Sequence, residues 1–518
     1  MSELRLAEMI AALSQTADLG MGQQPETALR ICLLATGLAR SVDLSDGEVQ
    51  DIYYAALLQH IGCTAYAHET ARAFGGDDVM LRSAGATIDS SNPGEILPFL
   101  LTGIGKGASP GVRARAVVHA IRLGSSFDRD LSAANCEAAL SLAGRLGMDM
   151  SVREALGSIY ERWDGKGYPR RLEGEDVPQA ARFVQVATQA ELFYQMGGMQ
   201  LALDRVRQRS GASLDPQIAD AFLRQGPALL AEIGSLDVAV AVLDAEPAPT
   251  HLVPDSGIDD VAGAFADMTD LKSPFMLGHA AGVSRLAERA ALHCGLPPAD
   301  VTRIRRAALL QDIGRIGIPN GIWDKPGPLT SIEWERVRLH PYHSERILSR
   351  SQPLASLAPL AGMHHERLDG SGYYRQVAAD TIPIGARLLA AADAYHAMTQ
   401  RRAHRNARSP DQSAAELSTM ARAGLLDPEA TRAVLEAAGH SPAPIRSAWP
   451  AGLTDREVEV LRLAIRGLSN RQIGDTLSIS PKTAGHHIQH IYDKIDVSTR
   501  AGAAIFAMQH DLVHPGEK

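Results

Sequence analysis

The chain repeats itself, and this limits what it can fold into more than any single motif does. "DIYYAALLQHIG" (51–62) resembles "RIRRAALLQDIG" (303–314), and "ERWDGKGYP" (161–169) resembles "ERLDGSGYY" (366–374). "PQAARFVQVATQA" (178–190) resembles "PIGARLLAAADAY" (383–395), and "SGASLDPQIADAFL" (210–223) resembles "AGLLDPEATRAVL" (423–435). Four echoes in one order mean that one supersecondary unit occurs twice, over residues ~20–230 and ~258–440. Apolar residues inside both copies recur at three- and four-residue intervals, as in Leu309, Leu310, Ile313 and Ile316, and strand-like alternation is almost absent. The fold class is therefore all-α.

The copies differ by an insertion in the first, "IDSSNPGEILPFLLTGIGKGASPG" (88–111), whose Gly, Ser and Pro read as a loop or lid. Residues 244–257 read as the linker between the copies, and the Pro-rich 439–452 as a second, semi-stiff linker. With 518 residues to distribute, three domains follow: 1–243, 258–440 and 451–518. No apolar run approaches the ~20 residues that span a bilayer, and the start "MSELRLAEMI" has no signal-peptide core. Cys32, Cys63, Cys136 and Cys294 are scattered without CxxC spacing and read as free thiols. The expectation is a cytoplasmic protein without a membrane partner. A net charge of −9 gives no general attraction to nucleic acid, so DNA binding has to be local.

The second copy concentrates ligand-type residues. "HAAGVSRLA" (His279), "LLQDIGRIGIP" (Asp312), "LHPYHSERIL" (His340), "HHERLDGSGY" (His364, His365) and "AADAYHAMT" (Asp393) resemble the HD-GYP domain family. That family comprises helical, metal-dependent phosphohydrolases, many of which cleave cyclic di-GMP. The resemblance implies His279, Asp312, His340, His364, His365 and Asp393 as ligands of a divalent iron, manganese or zinc ion. Phosphodiester hydrolysis needs a nucleophilic water and neutralised phosphate oxygens, which two metal ions ~3.5–4 Å apart supply together. Imidazole and carboxylate donors suit those metals.

Gln311 stands where the family has His, and Arg315, the candidate catalytic partner of Asp312, stands where the family usually has Lys. A neutral amide oxygen is a weak ligand, and a guanidinium keeps its charge but gives up no proton near neutral pH. Tyr374 replaces the Pro of the GYP signature. The bland alternative is that these groups are satisfied polar residues of a helical core. The first copy carries Gln59 and His60 for the His-Asp pair, Asn135 for the middle His and Thr188 for the last Asp, with Tyr160 and Glu161 read as replacing the two adjacent His. No metal is expected in it. Its "DGKGYP" loop is intact, and either contacts a ligand or is an ordinary turn that packs the module.

The stretch 453–513 has its own grammar. Thr454 with Glu457, and Ser469 with Gln472, form capping boxes; Gly467 ends the first helix; Ser480 caps a third with Pro481 at its first position. Ala484, Ile488, Ile491 and Ile495 make one buried stripe of that third helix. Two helices joined by a tight turn, the second with polar donors outward, are a helix-turn-helix geometry. The stretch resembles the LuxR-type DNA-binding domain, a tetrahelical fold. By that resemblance Thr483, His487, Lys494 and Arg500 hold phosphates or the domain fold. Lys482, Gly485, His486 and Gln489 approach base edges, where Gln reads adenine and Lys guanine. The last helix, 500–510, is the family's usual dimer surface. Residues 451–518 balance their Lys and Arg against their Asp and Glu, leaving no net charge, whereas phosphate-binding modules are usually more basic. The alternative is a helical interaction domain.

Together these features predict a transcriptional regulator that binds double-stranded DNA as a homodimer. Its HD-GYP-like body would sense a metal or a phosphate-containing ligand such as a cyclic dinucleotide or another nucleotide. The rival expectation is an active metal-dependent phosphodiesterase with a DNA-binding tail, and a third is a scaffold with no small ligand.

Overall fold

A computed structural model describes residues 4–89, 91–104, 110–439, 449–510 and 512–513. Side chains close the helix ends that matter to the repeat. Ser45 accepts the Glu48 N–H at the start of helix Asp46–Leu58, and the Glu48 carboxylate reaches back to the Ser45 N–H. Asp215 and Asp427 cap helices Pro216–Ser235 and Pro428–Ala437, each with proline in the first turn. The chain is all-α as the periodicity requires; the described strands are the two-residue pieces Leu4–Arg5 and Leu252–Val253, paired antiparallel.

The chain divides into two compact units, Met1–Ala264 with Pro319–Gly321 and Phe265–Ile318 with Ile322–Lys518. In the first, helix Thr27–Ser41 packs against Asp46–Leu58, Gln179–Arg209 and Pro216–Ser235. In the second, helix His279–His293 packs against Pro298–Leu310, Ile384–Thr399 and Pro428–Ala437. Leu34, Leu38, Tyr53 and Phe222 fill the first core, and Val283, Leu310, Leu388 and Val434 the second. Burying side chains of this size contributes about 1.5–3 kcal/mol each.

The repeat extends to individual hydrogen bonds. Arg182 donates to Asp215 at 2.6 Å and Arg387 to Asp427 at 2.9 Å. Asp18 accepts the Ala28 N–H at 3.0 Å, and Asp270 accepts the Ala280 N–H at 3.0 Å. Burial pushes the Asp18 carboxyl up to about 8 and Asp270 well above its ordinary value, against the pull of those bonds.

One connection differs from expectation. The 88–111 insertion is not a plain loop. Asn92 and Pro93 start a helix, Pro93–Thr102, and Pro110–Leu123 forms another. Leu81, Ile104 and Ala116 make a small core there with Phe74, Phe99 and Leu100. Its residues 90 and 105–109 lie outside the described set. The 244–257 linker packs onto the first unit. Tyr54 donates to Glu246 at 2.6 Å, and Gln50 to the Pro249 carbonyl at 2.8 Å. Most of the second linker, 440–448, is outside the described residues.

Candidate functional site

In the second copy the apolar faces of helices His279–His293 and Ile384–Thr399 bring His279 and Asp393 to one place. Gln311 and Asp312 follow directly on helix Pro298–Leu310, and His340 opens helix His340–Leu348. His364 and His365 follow helix Ala358–Gly362. All six expected ligand residues therefore converge. One group of donor atoms comprises Asp312, His340, His364 and His365, another His279, Asp312 and Asp393, each within 4.8 Å of one another. His279, Asp312, His340 and His364 are 1–2% exposed, whereas a quarter of the His365 side chain is open.

The hydrogen bonds around the first group fix where protons can be. His340 Nδ1 lies 2.6 Å from the Val337 carbonyl and His364 Nδ1 2.6 Å from the Ala361 carbonyl. A carbonyl only accepts, so both Nδ1 atoms carry the proton. Their Nε2 atoms stand 3.2 Å apart, and 3.2 and 3.5 Å from Asp312 Oδ1. In the neutral imidazoles three acceptors thus face one another with no donor between them. Such an arrangement is stable only with a cation or a shared proton at its centre. An Nδ1–H donated to a backbone carbonyl is also how ligating histidines are usually held. Burial lowers His340, and lowers His365 well below the ordinary value, which keeps both neutral and suited to ligation. Burial opposes charge on His364 too, but the Asp312 carboxylate outweighs it and holds that imidazole above its usual value. Burial would raise Asp312; Arg315 and the two imidazoles outweigh it and hold the carboxyl well below the usual range.

Around the second group, His279 Nε2 lies 3.0 Å from Asp393 Oδ1, and Gln311 Nε2 donates to the same oxygen at 3.3 Å. The Gln311 Oε1 atom is buried without a hydrogen-bond partner. Arg315 donates to Asp312 Oδ2 at 3.1 Å, and its guanidinium lies over the Trp323 ring at 3.8 Å. His396 and Arg402 reach His279 from behind, at 3.0 and 3.3 Å. Sequence reasoning singled out neither. "AYHAMTQRR" shows a histidine and arginines, but only the fold brings them to His279.

The first copy shows the same frame emptied. Gln59 accepts from Thr188 Oγ1 at 2.8 Å, a neutral bond where copy two has Gln311 and Asp393. His60 is buried with both ring nitrogens lacking hydrogen bonds, and burial lowers it to about 4. One expectation is corrected: Glu161 does not replace an adjacent His. Its carboxylate accepts the Arg170 and Leu172 N–H groups at 2.6 and 3.0 Å. Glu366 accepts those of Arg375, Gln376 and Val377 at 2.7, 3.2 and 3.2 Å. Glu161 therefore matches Glu366, and Ile159 and Tyr160 stand where copy two has His364 and His365. The same loop explains its glycines. A Cβ on Gly167 or Gly372 would lie 2.5 Å from the Cα of that glutamate, and Gly165 and Gly370 have φ of 69° and 78°. Tyr374, in the place of the signature proline, donates to Glu345 at 2.6 Å.

At the carboxy end the caps fall where the sequence puts them, at Thr454, Ser469 and Ser480, and Gly467 has φ 84°. Helix Pro481–Ile495 buries Ala484, Ile491 and Ile495, with Ile488 half-buried, and exposes Lys482, Thr483, His486 and Gln489. His487 is half-buried. Thr483 Oγ1 lies 2.7 Å from Ser480 Oγ, and Gln489 donates to Asp493 at 2.8 Å. Lys494 ties the domain together, donating to Glu457 at 2.7 Å and to the Gly452 carbonyl at 3.1 Å. Gly485 differs from its exposed neighbours: a Cβ there would stand 3.1 Å from Asn470, so it serves the approach of two helices. Arg500 is half-buried at the start of helix Arg500–Gln509. That helix is covered on most sides, with Ala501, Ala503, Ala504, Ile505, Ala507 and Met508 buried. The dimer surface expected on it is therefore largely closed within the chain, leaving Gln509 and His510 exposed.

The sequence matches the HD domain family over 89–218 and 263–430 and the luxR family of bacterial regulatory proteins over 451–507. A 3'3'-cGAMP-specific phosphodiesterase of Vibrio cholerae is 30% identical over 435 residues, 83% of this chain and 94% of that protein. The chain is an HD-GYP-type HD-domain protein with a LuxR-type domain at its carboxy end. A cyclic di-GMP phosphodiesterase of Thermotoga maritima is 41% identical over 160 residues, 30% of this HD-domain chain and 43% of its own length. A crystal structure of a cyclic GMP-AMP specific phosphodiesterase from V. cholerae superposes with a TM-score of 0.58 at 26% identity, covering 85% of the HD-domain chain and 99% of its own. No helix among the described residues is long and apolar enough to cross a membrane.

Proposed function

We propose that the chain is a DNA-binding transcriptional regulator with domains at 1–243, 258–440 and 451–518. Its second HD module takes a divalent ion and, with it, a cyclic dinucleotide, and the LuxR-type domain answers to that occupancy. The carrying observation is the meeting of two bare imidazole nitrogens and a carboxylate oxygen at His340, His364 and Asp312. Asp312, His340, His364 and His365 would hold the ion, and iron, manganese and zinc all suit three nitrogens and an oxygen. A bound ion supplies neutralising charge for phosphate oxygens. Arg315, fixed against Asp312 and Trp323, keeps a permanent positive charge beside the same place. The relatives' names, which specify cyclic GMP-AMP and cyclic di-GMP, support the ligand class.

The test is equilibrium binding of 3'3'-cGAMP and cyclic di-GMP to the manganese-loaded full chain, against His364→Ala/His365→Ala. Binding that needs both histidines supports the proposal; no binding by the wild type, or none that depends on them, removes the site from the function.

A second reading, hydrolysis of the same ligand, is favoured by the convergence of Asp312, His340, His364 and His365. Product formation by the wild type that the double substitution abolishes would establish it. Intact ligand recovered after prolonged incubation would leave a sensor.

A further inference from the structure

The two sides of the copy-two site differ in what their hydrogen bonds permit. A ligating imidazole presents a bare nitrogen to the ion and donates its other N–H outward. His340 and His364 do this. His279 is held the opposite way. Its Nδ1 faces Arg402 NH2 at 3.3 Å, and a guanidinium only donates, so Nδ1 accepts. His396 Nδ1 lies 3.0 Å away on that same face. The proton of His279 then sits on Nε2, which points at Asp393 Oδ1 from 3.0 Å. The nitrogen that would ligate an ion is occupied.

One oxygen of each carboxylate is committed in the same sense. Asp393 Oδ1 takes both His279 and Gln311. Asp312 Oδ1 faces the bare imidazoles, but its Oδ2, which a bridging role needs, receives Arg315 at 3.1 Å. Charge points the same way. Asp312 and Asp393 bring two negative charges into this buried site, and Arg315 and Arg402 two positive ones. Arg402 is half-buried, bonded to the Phe275 carbonyl at 2.9 Å and to the Met276 sulfur. One divalent ion leaves the site cationic, fit for a phosphate. A second would add two more positive charges beside Arg315 and Arg402, an excess that this site's two carboxylates do not balance.

We propose that copy two holds one divalent ion, at Asp312, His340, His364 and His365, and that His279, Gln311 and Asp393 form a metal-free hydrogen-bonded network in which Arg315 and Arg402 supply the charge of a second ion. This rests on the reading that the site takes a metal at all. Gln311 then stands in a network that needs an N–H donor to Asp393, which an amide provides.

The experiment is metal quantification of the full chain after manganese loading and dialysis, with electron paramagnetic resonance of the same samples. About one ion per chain is expected, with the hyperfine pattern of an isolated ion rather than the denser pattern of an exchange-coupled pair. His279→Gln keeps that ion, and His364→Ala loses it by about tenfold or more. Two ions per chain, a coupled spectrum in the wild type, or equal loss in His279→Gln overturns the single-ion inference while leaving a metal site. No ion in the loaded wild type overturns the metal reading itself. The wild-type spectrum decides between one ion and two even where a variant fails to fold.

Discussion

Replacing Glu366 by Gln tests how the site's supporting loop is held. The Glu366 side chain is 3% exposed, and its two oxygens accept three backbone N–H groups, from Arg375, Gln376 and Val377. Glutamine keeps one oxygen, for Arg375 and Gln376, but turns an NH2 toward the Val377 N–H. One charge-assisted bond is lost, two donors meet in a buried place, and the remaining bonds lose their charge. The combined cost is about 2 kcal/mol, near thirtyfold in the local opening equilibrium. Native-state hydrogen exchange on the full chain reads it directly, as faster exchange of the 375–377 amides. Glu161→Gln does the same to the 170–172 amides of copy one, where the carboxylate accepts two N–H groups. Because Glu366 directly follows His365, its variant also weakens metal retention, and Glu161→Gln does not. Unchanged exchange at 375–377 in a folded Glu366→Gln protein would refute the reasoning.

Metal affinity rises with pH. His364 sits above its ordinary value, held by Asp312 against burial, so in the ion-free chain its bridging proton stabilises the fold below the unfolded imidazole's pKa and is lost as pH climbs through the raised folded one. The ion displaces that proton, so titration calorimetry in buffers of different ionisation enthalpy gives release of about one proton per ion in that window. Lys494→Met removes the ties to Glu457 and Gly452, a pair about a third exposed on the lysine side. Discounted for exposure it costs about 1 kcal/mol, read as a fall of about 4 °C in the calorimetric transition of the carboxy-terminal domain. Arg500→Ala weakens DNA binding alike across sequences and reduces the salt slope by about 1, whereas Lys482→Ala and Gln489→Ala each cost about 1–3 kcal/mol at a single base pair. Binding titrations on variant duplexes at several salt concentrations separate the two.

Local chemistry made most of the fold legible. The caps at Thr454, Ser469 and Ser480 depend on residues three apart, and the echoes depend on helices that each carry their own apolar stripe. Asp312, His340, His364 and Asp393 were readable because ligand-type residues are distinctive. What sequence could not give was how the side chains are committed. The Nδ1 atom of His279 is met by Arg402 and His396, more than a hundred residues away. Glu161 looked like a substituted ligand until its bonds to Arg170 and Leu172 showed the register one residue off. The 88–111 insertion misled by composition: its Asn92 and Pro93 are a helix start, and Phe99 and Leu100 have a core to join.

The central claim is that occupancy of the second HD module alters DNA binding by helix Pro481–Ile495. Fluorescence anisotropy of the manganese-loaded full chain on a genomic fragment it selects, with and without 3'3'-cGAMP, tests it most directly. The predicted result is a change in affinity of about fivefold or more that His364→Ala/His365→Ala abolishes. Equal affinity with and without a ligand that calorimetry shows to be bound would contradict it, as would failure to retain any DNA at low salt.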